Sequence, residues 1–328
     1  MCNIFISLPF ISMMKRAILS LLLTVSAVVV YGQEAKEVYS FLRLPVSAHV
    51  AALGGDNITL SDDDATMIFH NPALINNVSD KTINLNFMTY MEGTTTASAS
   101  FVKAAGDRAS WGVAAQYMSY GEIKETTNSN QVTGAFTPKD IALSGTFAYM
   151  LSDEISGGIT ARFISSTIAS YSSAAVGVDL GLNYYHEDLG WSVSLVAKNL
   201  GGQIKAYDED FERIPIDLQL GVSKAFTGSP ITLHAAMARL HNWDQGFIKH
   251  LSVGADIQLG KSVYVAAGYN FRRSSEMKIT LSEDDASNHG AGLSLGAGLQ
   301  LQRFKLQMAY AKYHVSSYSL LVNLAYSL

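Results

Sequence analysis

The amino-acid sequence predicts an all-β fold: a transmembrane antiparallel β-barrel of about fourteen strands with an N-terminal plug, or hatch, in its lumen. Charged residues make up only 16% of the chain, against roughly 25% in soluble domains. No apolar run after residue 32 reaches the length of a membrane-spanning helix, and residues 81–328 alternate apolar and polar positions in segments of about ten. A closed barrel satisfies every backbone polar group in lipid. A soluble β-sandwich or propeller is the competing architecture.

Residues 1–32 predict a signal peptide. Lys15 and Arg16 precede an apolar run from Ala17 to Val30, and small residues follow it at a suitable cleavage site. A membrane anchor is the alternative, but the run falls short of the roughly twenty residues that a spanning helix needs. We therefore predict export and residence in the bacterial outer membrane.

Composition excludes several classes of function. The single cysteine, Cys2, would leave with the signal peptide, so the mature chain would have no disulfide and no thiol nucleophile. The formal net charge is −5, which gives nucleic-acid binding no electrostatic support. The eight histidines form no pair at metal-ligand spacing, and no nucleophile elbow occurs. We expect no metal, no cofactor and no enzymatic activity; an outer-membrane hydrolase is a remote alternative.

The barrel is predicted for residues 81–328. Period-two alternation in segments such as Val176 to Tyr184 places Leu180 toward lipid and Asp179 toward the lumen, where substitutions should be mild. Short turns alternate with connections that include long ones, as in outer-membrane barrels with short periplasmic turns and long outer loops. The long connections are predicted at Gly121 to Lys139, Leu200 to Arg213, Leu240 to Phe247 and Arg273 to His289.

The hatch is predicted for residues 33–80. Its central part, Arg43 to Leu74, has small residues, paired glycines and an Asn-Pro break, and it fits neither a regular helix nor a strand. Pro72 should bias Asn71 out of the helical region and fix a tight bend, with Ala73 leaving room beside the wall. The bend could be a gate for a hydrophobic ligand or a fixed stopper. The candidate hatch residues are Gly54, Gly55, Asp63, Asp64, Asn71, Pro72 and Ala73.

Three stretches of the hatch carry a family resemblance. Ala51-Ala52-Leu53-Gly54-Gly55, Asp63-Asp64-Ala65 and Phe69-His70-Asn71-Pro72-Ala73-Leu74 resemble the hatch of the PorV/PorQ family, which belongs to the FadL-like barrels with fourteen strands and an N-terminal plug. Tyr39 to Pro45, Val196 to Gly202, Ala267 to Arg273 and Asn323 to Leu328 are most similar to the PorQ members.

The resemblance implies a component of the type IX secretion system of Bacteroidetes-type bacteria. It implies a barrel that holds a surface partner such as PorZ in the attachment complex, with PorU and PorV as further components and outer-membrane lipid around the wall. No catalytic residues accompany the family. A FadL-like transporter of hydrophobic small molecules is the alternative function.

We expect the surface partner to dock at the end of the barrel that carries the long loops. Those loops combine charged residues with apolar ones, as small protein interfaces do. The candidate docking residues are Tyr207, Phe211, Arg213, Arg272, Arg273 and Met277.

Overall fold

The structure is a computed structural model that describes residues 37–91, 93–129, 131–243, 246–280, 286–287, 290–315 and 317–328. The predicted signal peptide, 1–32, and the first predicted hatch residues, 33–36, lie outside the described residues. The strands are β1 (Thr82–Thr89), β2 (Thr95–Ala104), β3 (Ala109–Ser119), β4 (Ile123–Thr126), β5 (Val132–Phe136), β6 (Lys139–Met150), β7 (Ile155–Ile168), β8 (Tyr171–His186), β9 (Trp191–Lys205), β10 (Asp217–Ala225), β11 (Ile231–Met237), β12 (Leu251–Leu259), β13 (Val263–Asn270), β14 (Ile279–Thr280), β15 (Ala286–Ser287), β16 (Leu293–Gln300), β17 (Phe304–His314) and β18 (Ser317–Ser327).

Fourteen of these strands close into an antiparallel barrel, here called the wall, in the order β1-β18-β17-β16-β13-β12-β11-β10-β9-β8-β7-β6-β3-β2. Pairing of β1 with β18 completes the closure, and β4–β5 and β14–β15 form two small hairpins outside it. The predicted barrel and its strand number are confirmed. Within the described residues, no helix is both long enough and apolar enough to cross a membrane.

Alternation along the strands separates two faces of the wall. In β1 the outward side chains of Ile83, Leu85 and Phe87 are 40%, 53% and 47% exposed. The inward positions that alternate with them, from Thr82 to Met88, are buried. In β8 Asp179 is buried and points inward, between outward-facing neighbours. The outward face is apolar and the inward face is largely polar, which is the distribution that a barrel in lipid requires.

The two ends of the barrel differ as predicted, with corrections to the loop bounds. All connections at one end are short: 105–108, 151–154, 187–190, 226–230, 260–262 and 301–303. The opposite, long-loop end carries 120–138, 206–216, 238–250 and 271–292, together with three short links. The loop predicted to start at Leu200 starts at 206, because β9 continues to Lys205. A bulge near Asn199, which has φ 56°, breaks the alternation and hides that continuation in the sequence.

The hatch precedes β1 and consists of short helical turns. These are the 3-10 helices Ser40–Arg43, Ala65–Phe69 and Pro72–Asn77 and the α-helix Ala48–Ala52. The α-helix packs against β13 and β16 to β18, and the last 3-10 helix packs against β3 and β6 to β8. Contacts with strands on opposite sides of the wall place the hatch inside the barrel. Its large apolar side chains are almost completely buried there: Phe41, Leu53, Ile58, Met67, Ile68, Leu74 and Ile75.

Candidate functional site: the hatch seat and the long-loop end

Inward-facing glycines of the wall form a seat for the hatch. At each of these positions an added Cβ atom would lie less than 3.0 Å from a hatch atom, a separation that real contacts do not show. Hatch backbone atoms make this close approach at Gly158 and Gly268, and hatch side chains make it at the other five positions. The seat consists of Gly112, Gly158, Gly181, Gly221, Gly254, Gly268 and Gly296.

The Asn71–Ala73 turn rests on two of these glycines. A Cβ at Gly158 would lie 2.5 Å from the Ala73 nitrogen, and one at Gly181 would lie 2.9 Å from Pro72 Cδ. Asn71 is extended, accepts a bond from the Ala73 nitrogen at 3.0 Å and donates to the Ile58 carbonyl at 3.0 Å. The predicted bend is confirmed. The sequence attributed the close approach of hatch and wall to the small side chain of Ala73. In the structure the space comes mainly from the wall glycines Gly158 and Gly181.

Gly54 and Gly55 end the hatch helix Ala48–Ala52. Their φ angles of 105° and 100° are strained for any other residue, and the Gly55 nitrogen donates to the Val50 carbonyl at 2.9 Å. The Gly54 carbonyl accepts a bond from Asn270 of the wall at 3.0 Å. The paired glycines thus turn the chain sharply while holding it against β13.

Asp63 and Asp64 have separate structural partners. Asp63 accepts a hydrogen bond from the Ser79 nitrogen at 2.7 Å. This bond joins the residues just before the 3-10 helix Ala65–Phe69 to those just after Pro72–Asn77. Asp64 caps the 3-10 helix Ala65–Phe69 by accepting from the Thr66 nitrogen at 2.9 Å, and it also accepts from Gln307 of the wall at 3.1 Å. Burial alone would raise the pKa of Asp64, but Lys305 and these hydrogen bonds lower it below its usual value. Asp64 is therefore a charged contact between the hatch and the wall.

His70 is buried between the hatch and a wall lysine. Its Nε2 atom accepts from the Ser47 nitrogen at 3.3 Å, and Lys198 donates to the neighbouring Phe69 carbonyl at 3.0 Å. Burial, with the positive charge of Lys198, lowers the pKa of His70 to about 3. His70 is thus a neutral hydrogen-bonded residue at physiological pH. Within the described residues, no set of three His, Cys, Asp or Glu side chains is placed to hold a metal ion.

Sequence reasoning missed a hydrogen-bonded chain on β10, β11 and β12. Ser223 Oγ lies 2.6 Å from His234 Nδ1, and His234 Nε2 lies 2.6 Å from Asp256 Oδ2. These residue types resemble a hydrolytic triad, but Ser223 is only 5% exposed and contacts Thr59 of the hatch. A second hatch residue, His49, lies 3.6 Å from Asp256. In this conformation Ser223 is buried, and the hydrogen-bonded chain ties the hatch to the wall.

A buried ion pair lies at the bulge between β8 and β9. Arg162 Nη2 is 2.6 Å from Asp179 Oδ2, and Asp179 also accepts from the Asn199 nitrogen at 2.7 Å. The inward position predicted for Asp179 is confirmed, and the buried pair now predicts a costly substitution in place of the mild one expected from the sequence. Removing one partner of a buried pair leaves the other charge uncompensated.

The predicted docking residues divide by exposure. Phe211 is 67% exposed, and Arg213 is exposed in side chain while its carbonyl accepts from the Val38 nitrogen at 3.0 Å. Tyr207 directs its hydroxyl to Ser166 of β7, and burial raises its pKa to about 12. Of the docking residues predicted in the loop 206–216, Phe211 and Arg213 therefore have exposed side chains and Tyr207 does not.

The docking residues predicted in 271–292 mostly organise that loop instead. Arg273 is buried and donates to the Ala291 carbonyl at 2.6 Å and the Gly292 carbonyl at 2.9 Å. Arg272 donates to the Lys249 carbonyl at 3.2 Å. Met277, at the end of the loop helix Phe271–Glu276, is half-buried. These arginines were docking candidates because they are charged, but their guanidinium groups donate to backbone carbonyls of the same end of the barrel.

Comparison with solved structures places this architecture among known barrels. The toluene transporter TodX of Pseudomonas putida superimposes with a TM-score of 0.56 at 12% identity, over 86% of this chain and 97% of that one. A FadL homologue of Pseudomonas aeruginosa gives 0.50 at 13% identity, over 85% and 97%. The chain has the fold of the FadL-like outer-membrane barrels. The monoaromatic hydrocarbon channel CymD, another similar structure, gives 0.51 at 14% identity, over 87% and 97%.

The FadL-like fold agrees with the wider group to which the sequence resemblance pointed. No protein-family model and no curated protein sequence matches the chain. Identities of 12–14% to these FadL-like barrels establish the fold alone. Function therefore has to be argued from the hatch and the loops.

Proposed function

We propose that this protein is a plugged outer-membrane barrel of the type IX secretion system, similar to PorQ, that anchors a surface protein of the PorZ kind. The observation that carries the proposal is the fit of the hatch on the wall glycines. Gly158 and Gly268 leave no space for even a methyl group against the hatch backbone, and Gly181 leaves none against the side chains of Asn71 and Pro72. Such a hatch serves as a fixed stopper, which suits a barrel that holds a partner.

Polar contacts add to this fit. Asn323 of β18 donates to the Val46 carbonyl at 3.1 Å, and Lys305 donates to the Asp63 carbonyl at 3.0 Å. Together with Lys198, Gln307 and Asn270 they join the hatch to four wall strands. Passage of a solute would require several buried hydrogen bonds to break, at about 1 kcal/mol or more each.

The loop 206–216 supports the anchoring role. Its tip combines the exposed aromatic ring of Phe211 with the acidic run 208–210 and with Arg213. An exposed aromatic side chain with charges around it is a common centre of a protein interface. The sequence resemblance of the hatch to the PorV/PorQ family indicates which machinery the partner would belong to.

Transport of hydrophobic small molecules is the second candidate, and the structural comparisons by themselves favour it. TodX is a toluene transporter and CymD a monoaromatic hydrocarbon channel, and both share the fold. Transport by this chain would require the hatch to leave its glycine seat at least transiently. The two candidates therefore differ in whether function depends on hatch movement or on the outer loops.

Purification from detergent-solubilised outer membrane separates the candidates. The anchor proposal expects a stoichiometric surface protein that is lost when 206–216 is shortened or Phe211 is changed to Ala. A matched control shortens the short-turn connection 226–230, which should leave the partner bound. Retention of the partner after both loop changes, or its loss in the control alone, would refute docking at the long-loop end.

An uptake assay tests the second candidate in the same strains. Cells lacking the protein should take up a radiolabelled monoaromatic hydrocarbon as fast as wild type if the protein is an anchor. Slower uptake that is restored by the variant with the shortened loop would favour transport instead, because that variant keeps the barrel and the hatch.

A further inference from the structure

A groove of about 600 Å³ crosses the outward face of the wall from β9 to β16. On β10, Gly221 and Ser223 face the hatch, so the alternate residues Val222 and Lys224 point outward. Both outward residues line the groove. The groove therefore lies on the side of the wall that faces lipid in a membrane barrel.

Small side chains deepen the groove and leave its surface apolar. Ala235 of β11 lies between Val222 and Val253 of the neighbouring strands, and all three line the groove. Leu233, two positions away along β11, is 47% exposed and stands beside Ala235. An alanine between larger outward side chains leaves a depression in which an extended hydrocarbon chain gains contacts on several sides.

The groove runs obliquely from one end of the barrel to the other. At one extreme, Lys224 is the last residue but one of β10, and the short connection 226–230 follows. At the other, Tyr269 is the last residue but one of β13, and the long connection 271–292 follows. The groove thus begins at the level of the short turns, which are periplasmic in outer-membrane barrels.

A lysine and a tryptophan form the short-turn end of the groove. Lys224 Nζ lies 4.8 Å from the centre of the Trp191 ring, and it donates one hydrogen bond to the Leu189 carbonyl in the connection 187–190. An ammonium group has three donors, and no carboxylate of the described residues forms an ion pair with Lys224. A cation beside an interfacial tryptophan is placed to meet lipid headgroups.

A second groove, of about 1070 Å³, gives a comparison on the same wall and extends from β1 by way of β2 to β9. Arg162 is the charged member of the described residues that line it, and it points inward to Asp179. Lys103 and Trp111 are cross-strand partners near the short-turn end, but neither lines this groove. Among the described residues, the second groove therefore has no cation directed into it.

We infer that the groove between β9 and β16 binds an anionic glycerophospholipid, with the phosphate at Lys224 and one acyl chain along the apolar floor. The ammonium group supplies a point charge for the phosphate, and the small side chain of Ala235 supplies the space for the chain. A lipid held at both points binds more tightly than the lipids around the rest of the wall, because one molecule makes both contacts. The inference depends on membrane residence and not on the proposed partner or cargo.

Tryptophan fluorescence of the mature barrel in mixed micelles of detergent and lipid tests the inference. Trp111, Trp191 and Trp243 are the three tryptophans of the chain. The variant W111F/W243F keeps Trp191 at the groove, and W191F/W243F keeps Trp111 beside Lys103. Each is titrated with phosphatidylglycerol brominated on its acyl chains, and separately with phosphatidylcholine that has the same brominated chains but no net charge.

We expect Trp191 to reach half-maximal quenching at about fivefold less phosphatidylglycerol than phosphatidylcholine, since one lysine contributes about this factor near anionic headgroups. Trp111 should require more of either lipid. In the W111F/W243F background, Lys224→Met should remove the preference for phosphatidylglycerol. Ala235→Phe fills the groove with an apolar ring and should raise the concentration that is needed of both lipids. Ala161→Phe, in the second groove, should change nothing at Trp191.

Equal quenching of Trp191 and Trp111 at every lipid concentration would overturn the inference and leave only ordinary boundary lipid. An effect of Lys224→Met without one of Ala235→Phe would refute binding in the groove, and the reverse would refute the phosphate contact. Absence of quenching at both tryptophans would instead refute membrane residence itself. Each variant should keep the heat-dependent gel mobility of the folded barrel, so that a change in quenching reports binding and not unfolding.

Discussion

Adding one methyl group to the hatch seat should have a large effect. In Gly158→Ala the new Cβ would overlap the Pro72 carbonyl carbon and lie 2.5 Å from the Ala73 nitrogen and 2.6 Å from the Pro72 oxygen. These are backbone atoms of a turn that Asn71 fixes with two hydrogen bonds. The turn would have to move by about 1 Å, to the ordinary contact distance.

Gly145→Ala is a matched control on the adjacent strand. Gly145 faces outward, and nothing lies within 4 Å of a Cβ placed there. The control should gain about 0.4–1 kcal/mol because alanine restricts the unfolded chain. Overpacking at Gly158 should cost about 1–3 kcal/mol. We therefore expect the two variants to differ by roughly 2 kcal/mol, about a 30-fold difference in the unfolding equilibrium.

Urea unfolding of the two variants in the same detergent or lipid measures this difference. Protease sensitivity of the hatch should rise in Gly158→Ala and remain unchanged in Gly145→Ala, because the hatch turn loses its seat. If both variants are equally stable and equally protected, the hatch does not rest on the wall at Gly158 and the fixed-stopper argument fails.

Three further predictions follow from the wall, the hatch and His70. Leu180→Arg should cost about 2–4 kcal/mol of stability because it places a charge on the lipid face. Asp179→Asn should cost about 1–3 kcal/mol because it leaves Arg162 without its charged partner. Urea unfolding measures both, and a harmless Asp179→Asn would contradict the buried pair. Deletion of residues 43–74 should open a pore that conducts ions in planar bilayers, since polar inward side chains would then be wetted; a folded deletion variant with wild-type conductance would show that the loops or wall close the barrel. The pKa of His70 is lowered from about 6.5 to about 3, so between these pH values the unfolded chain binds a proton that the folded chain does not. The contribution of His70 to the free energy of unfolding should therefore be constant above pH 6.5 and fall below it, by about 3 kcal/mol at pH 4.5. His70→Gln should remove this contribution, and an unchanged acid profile in that variant would assign the loss to other groups.

Much of the fold was predictable from the sequence because its signals are local. Lipid on one side and lumen on the other impose a period of two on every strand, so Leu180 and Asp179 could be assigned to opposite faces. The bend at Asn71-Pro72 was predictable for the same reason, since proline restricts the residue before it.

Long-range contacts were not predictable. Gly158, Gly181 and Gly268 read as ordinary strand glycines, and only the folded barrel shows that they touch hatch residues far away in the chain. Arg273 shows the opposite failure, because an arginine in a long loop reads as exposed until its bonds to the Ala291 and Gly292 carbonyls are seen.

The sequence by itself predicted the β-barrel class, the approximate number of strands, the segment that forms the hatch and the end that carries the long loops. The tertiary structure decided which hatch atoms meet which wall glycines and which docking candidates are accessible. The division has a physical cause. Periodicity and turn chemistry act between neighbouring residues, whereas burial depends on how distant segments are brought together when the barrel closes around its hatch.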